Sequence, residues 1–183
     1  NHTPAAGVIP FSVNAEEWMD GATAERFVAV PGSGKVVLRK PQGRVPTDWG
    51  DFPADTVLVK TISYEREAGN RESRRRMVTQ ILHNRFEVWR GNSGEWFGYS
   101  YVWNKEQTDA VLAPGKGVPF EYAISDAKAP GGKRTLHRMI GSQGECYLCH
   151  NPWAGYRLGF TASQLARTHN YGGIEVDQLA MLR

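Results

Sequence analysis

Two cysteines are all that the 183-residue sequence contains, so it cannot build a disulfide framework, and the question becomes what this single close pair does. No run approaches the roughly 20 continuous apolar residues of a membrane-spanning helix, so we expect no membrane span.

The 22 basic and 19 acidic residues are scattered, apart from the basic run at residues 74–76. This is not the basic face with stacking aromatics that nucleic-acid binding needs. A modest surface charge can still steer docking to an acidic partner.

The length and composition favour one domain. A hydrophobic content of 40% over 183 residues is enough for one core and hardly enough for two, so we expect a single domain over residues 1–183. The start, Asn1-His2-Thr3-Pro4, is not a signal peptide. We therefore expect a mature chain, or a segment excised from a longer multidomain protein.

Most of the chain alternates short β-branched or aromatic stretches with turn signals. The turn signals are Gly- and Pro-rich or charged segments, as at residues 31–34, 65–73, 91–94 and 129–132. Strands at this spacing predict an antiparallel sandwich or barrel-like body. The predicted strands are residues 26–30, 35–39, 56–62, 77–83, 86–89, 95–103, 119–125 and 134–140.

The pattern changes after Gly144. Residues 145–150, 161–168 and 176–182 have the composition of short helices, with Thr161 as an N-cap and with Asn170 and Gly172-Gly173 as stop signals. The sequence thus predicts a mainly β fold, in which a β-rich body of about residues 1–143 is followed by a small helical lobe of about residues 144–183.

The predicted lobe begins with Cys146-Tyr147-Leu148-Cys149-His150, which is the C-x-x-C-H pattern of haem c attachment. Two thiols on one helical turn can form thioether bonds to the two vinyl groups on one porphyrin edge. The next residue then projects its imidazole over the ring, where it reaches the iron as proximal ligand. The pattern predicts one covalently bound haem c with His150 on the iron, in a fold unlike the small all-helical cytochromes c.

Other uses of the cysteine pair stay open at this point. A thioredoxin-like redox pair belongs on the first helix after a strand in a βαβ context, which this pattern does not show. Zinc would need two more histidines from a scattered set. A structural disulfide is the remaining alternative.

Further stretches along most of the chain carry a family resemblance. They are residues 9–15, 20–22, 52–53 with 57–61, 75–76 with 79–83, 98–104 with 106–110, and 151–155 with 164–165. With the C-x-x-C-H pattern, they make the chain resemble the secreted haem c domains of large multidomain proteins from planctomycete-like and marine bacteria. The resemblance implies a periplasmic or secreted haem domain, often one module of a longer polypeptide. It carries over Cys146, Cys149 and His150 only.

The sixth iron ligand is not fixed by the pattern. We rank His83 first, because it ends an apolar strand and shares a face with Met77, Thr79 and Ile81 by the period of two. The alternative is a hydrogen-bonded histidine at a strand end. Met77, His169 and Met181 follow, although His169 also suits a helix C-terminus and Met181 suits a core position. The full set of candidates is Met19, Met77, Met139, Met181, His2, His83, His137 and His169.

Several side chains are candidates for the haem surroundings. Trp153 and Tyr156 directly follow the motif, so we expect them to shield the ring. Tyr101 belongs to an aromatic stripe that is either an apolar wall for the haem or ordinary core. The stripe comprises Trp96, Tyr99, Tyr101 and Trp103. The basic run at residues 74–76 is either a partner for the propionates or a solvated start of a strand.

Three functions are compatible with these features. The first is electron transfer to a redox partner protein or a neighbouring domain, with no enzyme activity. The second is a haem enzyme, or a sensor of peroxide or a diatomic gas, with an open sixth position. The third is an extracellular binding module in which the haem is accessory.

Overall fold

A computed structural model describes residues 3–38, 50–67, 69–86 and 94–182, with the side chains of residues 86 and 94 excepted. Antiparallel strands dominate and the helices are short, so the predicted mainly β fold is confirmed. The strands are β1 (Val8–Phe11), β2 (Thr23–Ala29), β3 (Val37–Leu38), β4 (Gly50–Asp51), β5 (Val57–Glu65), β6 (Arg74–Phe86), β7 (Gly94–Trp103), β8 (Ala110–Leu112), β9 (Val118–Ser125), β10 (Lys133–Ile140), β11 (Thr168–Tyr171) and β12 (Ile174–Asp177). The helices are α1 (Gln143–Cys149), α2 (Ala162–Leu165) and α3 (Gln178–Met181).

Six of the strands form one open antiparallel sheet in the order β1-β2-β5-β6-β7-β8. Strands β1 and β8 lie at its two edges, so the sheet does not close into a barrel. The pairs β9–β10, β11–β12 and β3–β4 form three separate two-stranded sheets. None of the helices in the described segments is long and apolar enough to cross a membrane.

The two faces of the six-stranded sheet are unequal, because side chains alternate along each strand. One face, here called the covered face, carries Leu58, Leu82 and Trp96, which pack with Phe160 and Leu165 of the C-terminal lobe. Towards its other end the same face carries Ile62, Val78 and Val102, which pack with residues of the β9–β10 hairpin. The opposite face, here called the open face, carries Val59, Ile81 and Tyr99, which are half-buried.

A polar row separates the two core clusters on the covered face. Arg26, Lys60, Gln80 and Ser100 lie side by side across β2, β5, β6 and β7. Arg26 pairs with Glu16 at 2.6 Å and Lys60 with Glu17 at 2.5 Å. The ion pairs compensate the cations, which are largely covered where the two clusters meet.

The predicted strands are largely confirmed in the described residues. Those predicted at residues 26–30, 56–62, 77–83, 95–103, 119–125 and 134–140 correspond to β2, β5, β6, β7, β9 and β10, with a difference of one residue at the end of the first and at the start of the second. Of residues 35–39, only Val37–Leu38 forms a described strand, and of residues 86–89 only Phe86 lies within the described segments. Short β1 and β8 were not predicted, because three or four residues carry too little periodicity.

The second and third helices of the C-terminal lobe are shorter than the sequence predicts, whereas the first, predicted at residues 145–150, is observed as α1. Thr161 does cap α2, but this helix ends at Leu165, and the residues after it form the β11–β12 hairpin. Gly172 and Gly173 turn this hairpin with φ of 67° and 100°, and so do not end a helix. The helix predicted at 176–182 begins only at Gln178, because Asp177 ends β12 and caps α3. Two consecutive glycines at positive φ are a hairpin signal that outweighed the helical periodicity.

Candidate haem-attachment site

Helix α1 carries both thiols and begins at a well-formed cap. The Ser142 hydroxyl accepts from the backbone N–H of Glu145, and Glu145 Oε2 accepts from the backbone N–H of Ser142 at 2.6 Å. The backbone and side-chain bonds from Ser142 hold the pKa of Glu145 below its usual range. This capping box fixes the first turn of a helix that has only seven residues and no buried residue of its own.

Helix α1 lies directly against strand β7 at Gly98. A Cβ at residue 98 would come 2.9 Å from the Cβ of Cys146 and 3.0 Å from its sulfur. Only glycine therefore allows the helix to come this close. Gly98 pairs with Leu82, so Cys146 packs on the covered face of the sheet. An isolated glycine inside an aromatic strand is a known signal of close approach, and it could have indicated this contact from the sequence.

The two thiols are free and differ in exposure. Cys146 is half-buried and Cys149, one turn later, is exposed. Burial raises the pKa of the Cys146 thiol, so this group is protonated at neutral pH. Because residues three apart lie on the same side of a helix, the two thiols are neighbours on α1, and Cys149 is the more exposed of the two.

His150 ends α1, and its imidazole is held by a backbone carbonyl. The backbone N–H of His150 donates to the carbonyl of Cys146 at 2.8 Å. Nδ1 of the ring lies 2.5 Å from the carbonyl oxygen of Tyr156. Because a carbonyl can only accept, Nδ1 carries the proton and Nε2 keeps its lone pair. Histidine ligands of metals are commonly fixed in this way by a second bond on the other nitrogen.

The carbonyl of Tyr156 is delivered by a tightly bonded loop. Asn151 Oδ1 accepts from the N–H of Ala154, Asn151 Nδ2 donates to the carbonyl of Leu148, and Pro152–Ala154 forms a single 3-10 turn. Gly155 and Tyr156 are then both left-handed, with φ of 62° and 61°. A non-glycine residue in this region costs free energy and often marks a functional position.

Apolar side chains around the motif face outward. Trp153 is 90% exposed and Leu148 is 76% exposed, while Leu158 is also exposed. Large apolar groups that are exposed close to the motif in sequence are available to a covering partner or ligand. Of the two residues predicted to shield a haem, Trp153 lies at the surface. Tyr156 packs against the core cluster that contains Leu82, Trp96 and Phe160.

His83, the first-ranked distal ligand, lies on the open face. It pairs with Phe97, one position along from the Leu82–Gly98 pair, and so points away from the face that carries Cys146. Its Nε2 lies 3.2 Å from Asp55 Oδ1. The described structure thus does not bring His83 and Cys146 together.

Met77 does not share a face with His83, contrary to the sequence prediction. It is buried with Tyr64 and Val78 in the core cluster beneath the β9–β10 hairpin. The physical reason is a β-bulge, since Ile62 pairs with Val78 but Ser63 pairs with Arg76, which leaves Met77 as the extra residue. A bulge reverses the alternation of side chains and gives no clear sequence signal.

The lower-ranked distal candidates lie in the C-terminal lobe. The sequence pattern predicts a helix end at His169, but His169 lies in strand β11, because α2 ends early. Its Nδ1 lies 2.7 Å from Ser12 Oγ, and burial together with the charge of Arg167 lowers its pKa, so it is neutral at pH 7. Met181 is 55% exposed and therefore does not occupy the predicted core position.

The predicted aromatic stripe is divided between the two faces. Tyr99, Tyr101 and Trp103 lie on the open face, whereas Trp96 is buried on the covered face. The period of two places odd and even positions of β7 on opposite sides. Tyr101, a candidate for the haem wall, therefore lies on the opposite face from Cys146.

In residues 3–38, 50–67, 69–86 and 94–182, no three His, Cys, Asp or Glu side chains form a group that could hold a bare metal ion. Tetrahedral zinc usually takes three or four protein ligands, which the described residues do not gather. No protein-family model, curated protein or solved structure matches the chain. The resemblance to secreted haem c domains stays a prediction.

Proposed function

We propose that Cys146, Cys149 and His150 attach one haem c, and that the chain is an extracytoplasmic electron-transfer domain. The observation that carries the proposal is the imidazole of His150, whose Nδ1 is bonded to the Tyr156 carbonyl, while Nε2 has no hydrogen-bond partner among the described residues. Two free thiols precede it on one helical turn. This donor set suits a porphyrin, which needs two thioether bonds and one axial nitrogen from the protein.

The residues have distinct parts in this proposal. Cys146 and Cys149 would form the thioether bonds, and His150 would supply the proximal nitrogen. The haem would supply an iron that cycles between the ferric and ferrous states. The loop that ends at Tyr156 holds the imidazole orientation, and the exposed Trp153 and Leu148 offer apolar surface to the ring. A redox partner protein or a neighbouring domain would dock beside it.

Covalent attachment is tested by expressing the chain in a bacterial periplasm with a haem c maturation system. The expected product has the mass of the chain plus one haem and keeps its haem in a denaturing gel. Cys146→Ala and Cys149→Ala should each remove one thioether bond, and the double variant should lose covalent haem. Lys133→Gln, on exposed β10, is the matched control and should be fully loaded. Unmodified protein, in cells that mature a known cytochrome c, would refute the proposal.

A haem with an open sixth position is the second candidate function. It is favoured by the placement of the three candidates ranked highest, with His83 on the open face, Met77 in the core and His169 beside Ser12. A ferric low-spin spectrum that is unchanged by cyanide supports electron transfer. A high-spin spectrum, or ready binding of cyanide or of carbon monoxide after reduction, supports a sensor or enzyme.

A further inference from the structure

A basic cleft lies on the open face of the sheet, opposite to the face that carries Cys146. Its volume is about 590 Å³, and it lies around the first residues of β6 and the loop after β7. Five of its nine lining residues are basic, and two are acidic. They are Glu25, Ser63, Arg71, Arg74, Arg75, Arg76, Lys105, Glu106 and Gln107.

Two buried donors in this cleft have no partner in the described part of the chain. Ser63 is 1% exposed and its hydroxyl forms no hydrogen bond. The Nε of Arg74 is also buried and unbonded, although its Nη2 lies 3.4 Å from Glu65 Oε1. A buried polar group without a partner is costly, and such groups in folded proteins often await a water, an ion or a ligand. Acceptor atoms of a ligand would satisfy both.

The cleft is held in shape by Gln107 and Trp103. The Gln107 side chain accepts from the backbone N–H of Arg76 at 2.6 Å and donates to its carbonyl at 3.0 Å. The pairing of β6 with β7 ends at Val78, so Arg76 has no partner from β7 within the described segments. The Gln107 side chain takes the place of that partner for the Arg76 backbone. The Arg76 guanidinium lies 4.6 Å from the centre of the Trp103 ring. A cation held on an aromatic ring is preorganised for binding.

The charge of the cleft is largely uncompensated. Among the described residues, Arg71, Arg76 and Lys105 form no ion pair with a carboxylate. Guanidinium groups bind phosphate and sulfate by two parallel hydrogen bonds, and Arg74 and Arg76 line the same cleft as Ser63. A volume of about 590 Å³ lies within the range of small-molecule sites and exceeds the need of a single free anion.

We propose that this cleft binds a small molecule that carries a phosphate or sulfate ester, such as a phosphorylated or sulfated sugar. A small molecule fits better than a macromolecule, because the Ser63 hydroxyl lies below the surface and is out of reach for the face of a folded protein. The site is independent of the haem proposal, since the cleft and Cys146 lie on opposite faces of the sheet.

Binding is tested by calorimetric titration of the full chain with glucose 6-phosphate, N-acetylglucosamine 6-sulfate, glucose and inorganic phosphate. We expect saturable binding of at least one ester, at least tenfold tighter than inorganic phosphate, weakened by high salt and absent for glucose. Equal affinity for inorganic phosphate and both esters would overturn the proposal, as would no saturation by either ester. Equal binding of a poly-glutamate peptide would also overturn it, because the cleft would then take acidic protein segments.

Variants distinguish this site from a general basic surface. Arg74→Gln and Arg76→Gln should each weaken ester binding at least tenfold, and Lys133→Gln on β10 should leave it unchanged. Ser63→Ala should weaken binding severalfold while leaving the urea midpoint the same or higher, because it removes an unbonded hydroxyl. If Ser63→Ala lowers the urea midpoint and leaves ester affinity unchanged, the hydroxyl is structural and the proposal fails.

Discussion

At the scale of single residues, the group that orients His150 is a backbone carbonyl, so its position depends on φ and ψ of the chain and not on a side-chain rotamer. The carbonyl belongs to Tyr156, which is left-handed at φ 61°. Asparagine tolerates this region, whereas β-branched residues do not. The conformation of residue 156 should therefore matter more than its ring.

Tyr156→Val and Tyr156→Asn form a matched pair, because both remove the ring and only valine resists the left-handed conformation. We expect Tyr156→Val to be less stable than Tyr156→Asn by about 1–2 kcal/mol in urea unfolding. Tyr156→Val should also have the more perturbed ferric haem spectrum, because the carbonyl turns away from Nδ1 of His150. Identical stabilities and spectra for the two variants would show that this carbonyl does not orient the imidazole.

The two thiols should react at different rates in chain made without haem. Cys149 is exposed, whereas Cys146 is half-buried and burial raises its pKa, which lowers its thiolate fraction at pH 8 below that of an ordinary cysteine. We expect iodoacetamide to label Cys149 first. Mass spectrometry of the two sites measures the extent of labelling over time. The lag of Cys146 should shrink as pH rises and vanish in urea. Equal labelling rates in the folded chain at pH 8 would contradict the placement of α1.

At the scale of elements, the contact between α1 and β7 decides where the candidate haem site lies. A Cβ on Gly98 would overlap Cys146, so Gly98→Ala must displace the helix or the strand. We expect a loss of about 1–3 kcal/mol in unfolding free energy and a smaller haem-loaded fraction, measured by absorbance per chain. Gly115→Ala is the control, because its Cβ would meet nothing within 4 Å. Equal losses for both variants would show that the contact is not tight.

Much of the element pattern could be predicted, because it is local. Alternation and turn residues located β5, β6 and β7, and the predicted capping residue Thr161 does begin α2. Two features could not be predicted. The bulge opposite Ile62 moves Met77 into the core, and its cause is the pairing of distant strands. The β11–β12 hairpin competes with a helical pattern of the same residues, and a single sequence cannot weigh the two.

At the scale of the whole molecule, one sheet separates the candidate haem site from the basic cleft. The motif alone was enough to predict Cys146, Cys149 and His150, but not the face on which they lie. That face depends on the sheet order β1-β2-β5-β6-β7-β8, and on the lobe and hairpin that pack on it. These are contacts between residues far apart in sequence. His83 and Met77 do not lie beside Cys146 for this reason, since both were chosen from the local periodicity of one strand.

The stability of the whole molecule should have a maximum near neutral pH. Burial and the charge of Arg167 lower the pKa of His169, and hydrogen bonds lower those of Glu17, through Lys60, and Glu145, through Ser142. Each contributes stability above its unfolded pKa, about 6.5 for His and 4.3 for Glu, and loses it as pH falls through the folded value. Burial raises the pKa of Tyr147 and Tyr171, whose contribution is present below about pH 10 and lost above it.

Urea midpoints of the haem-loaded protein from pH 4.5 to 10.5 measure both arms of this profile. We expect the midpoint to fall from pH 7 to pH 5, where His169 becomes charged in the unfolded chain first, and to fall again above pH 10. His169→Gln should flatten the arm between pH 7 and pH 5, because glutamine takes up no proton, and should leave the alkaline arm unchanged. Lys133→Gln, at an exposed position of β10, is the control and should keep the acid arm of the parent. An acid arm of the same slope in His169→Gln would contradict this prediction and assign the loss to other groups.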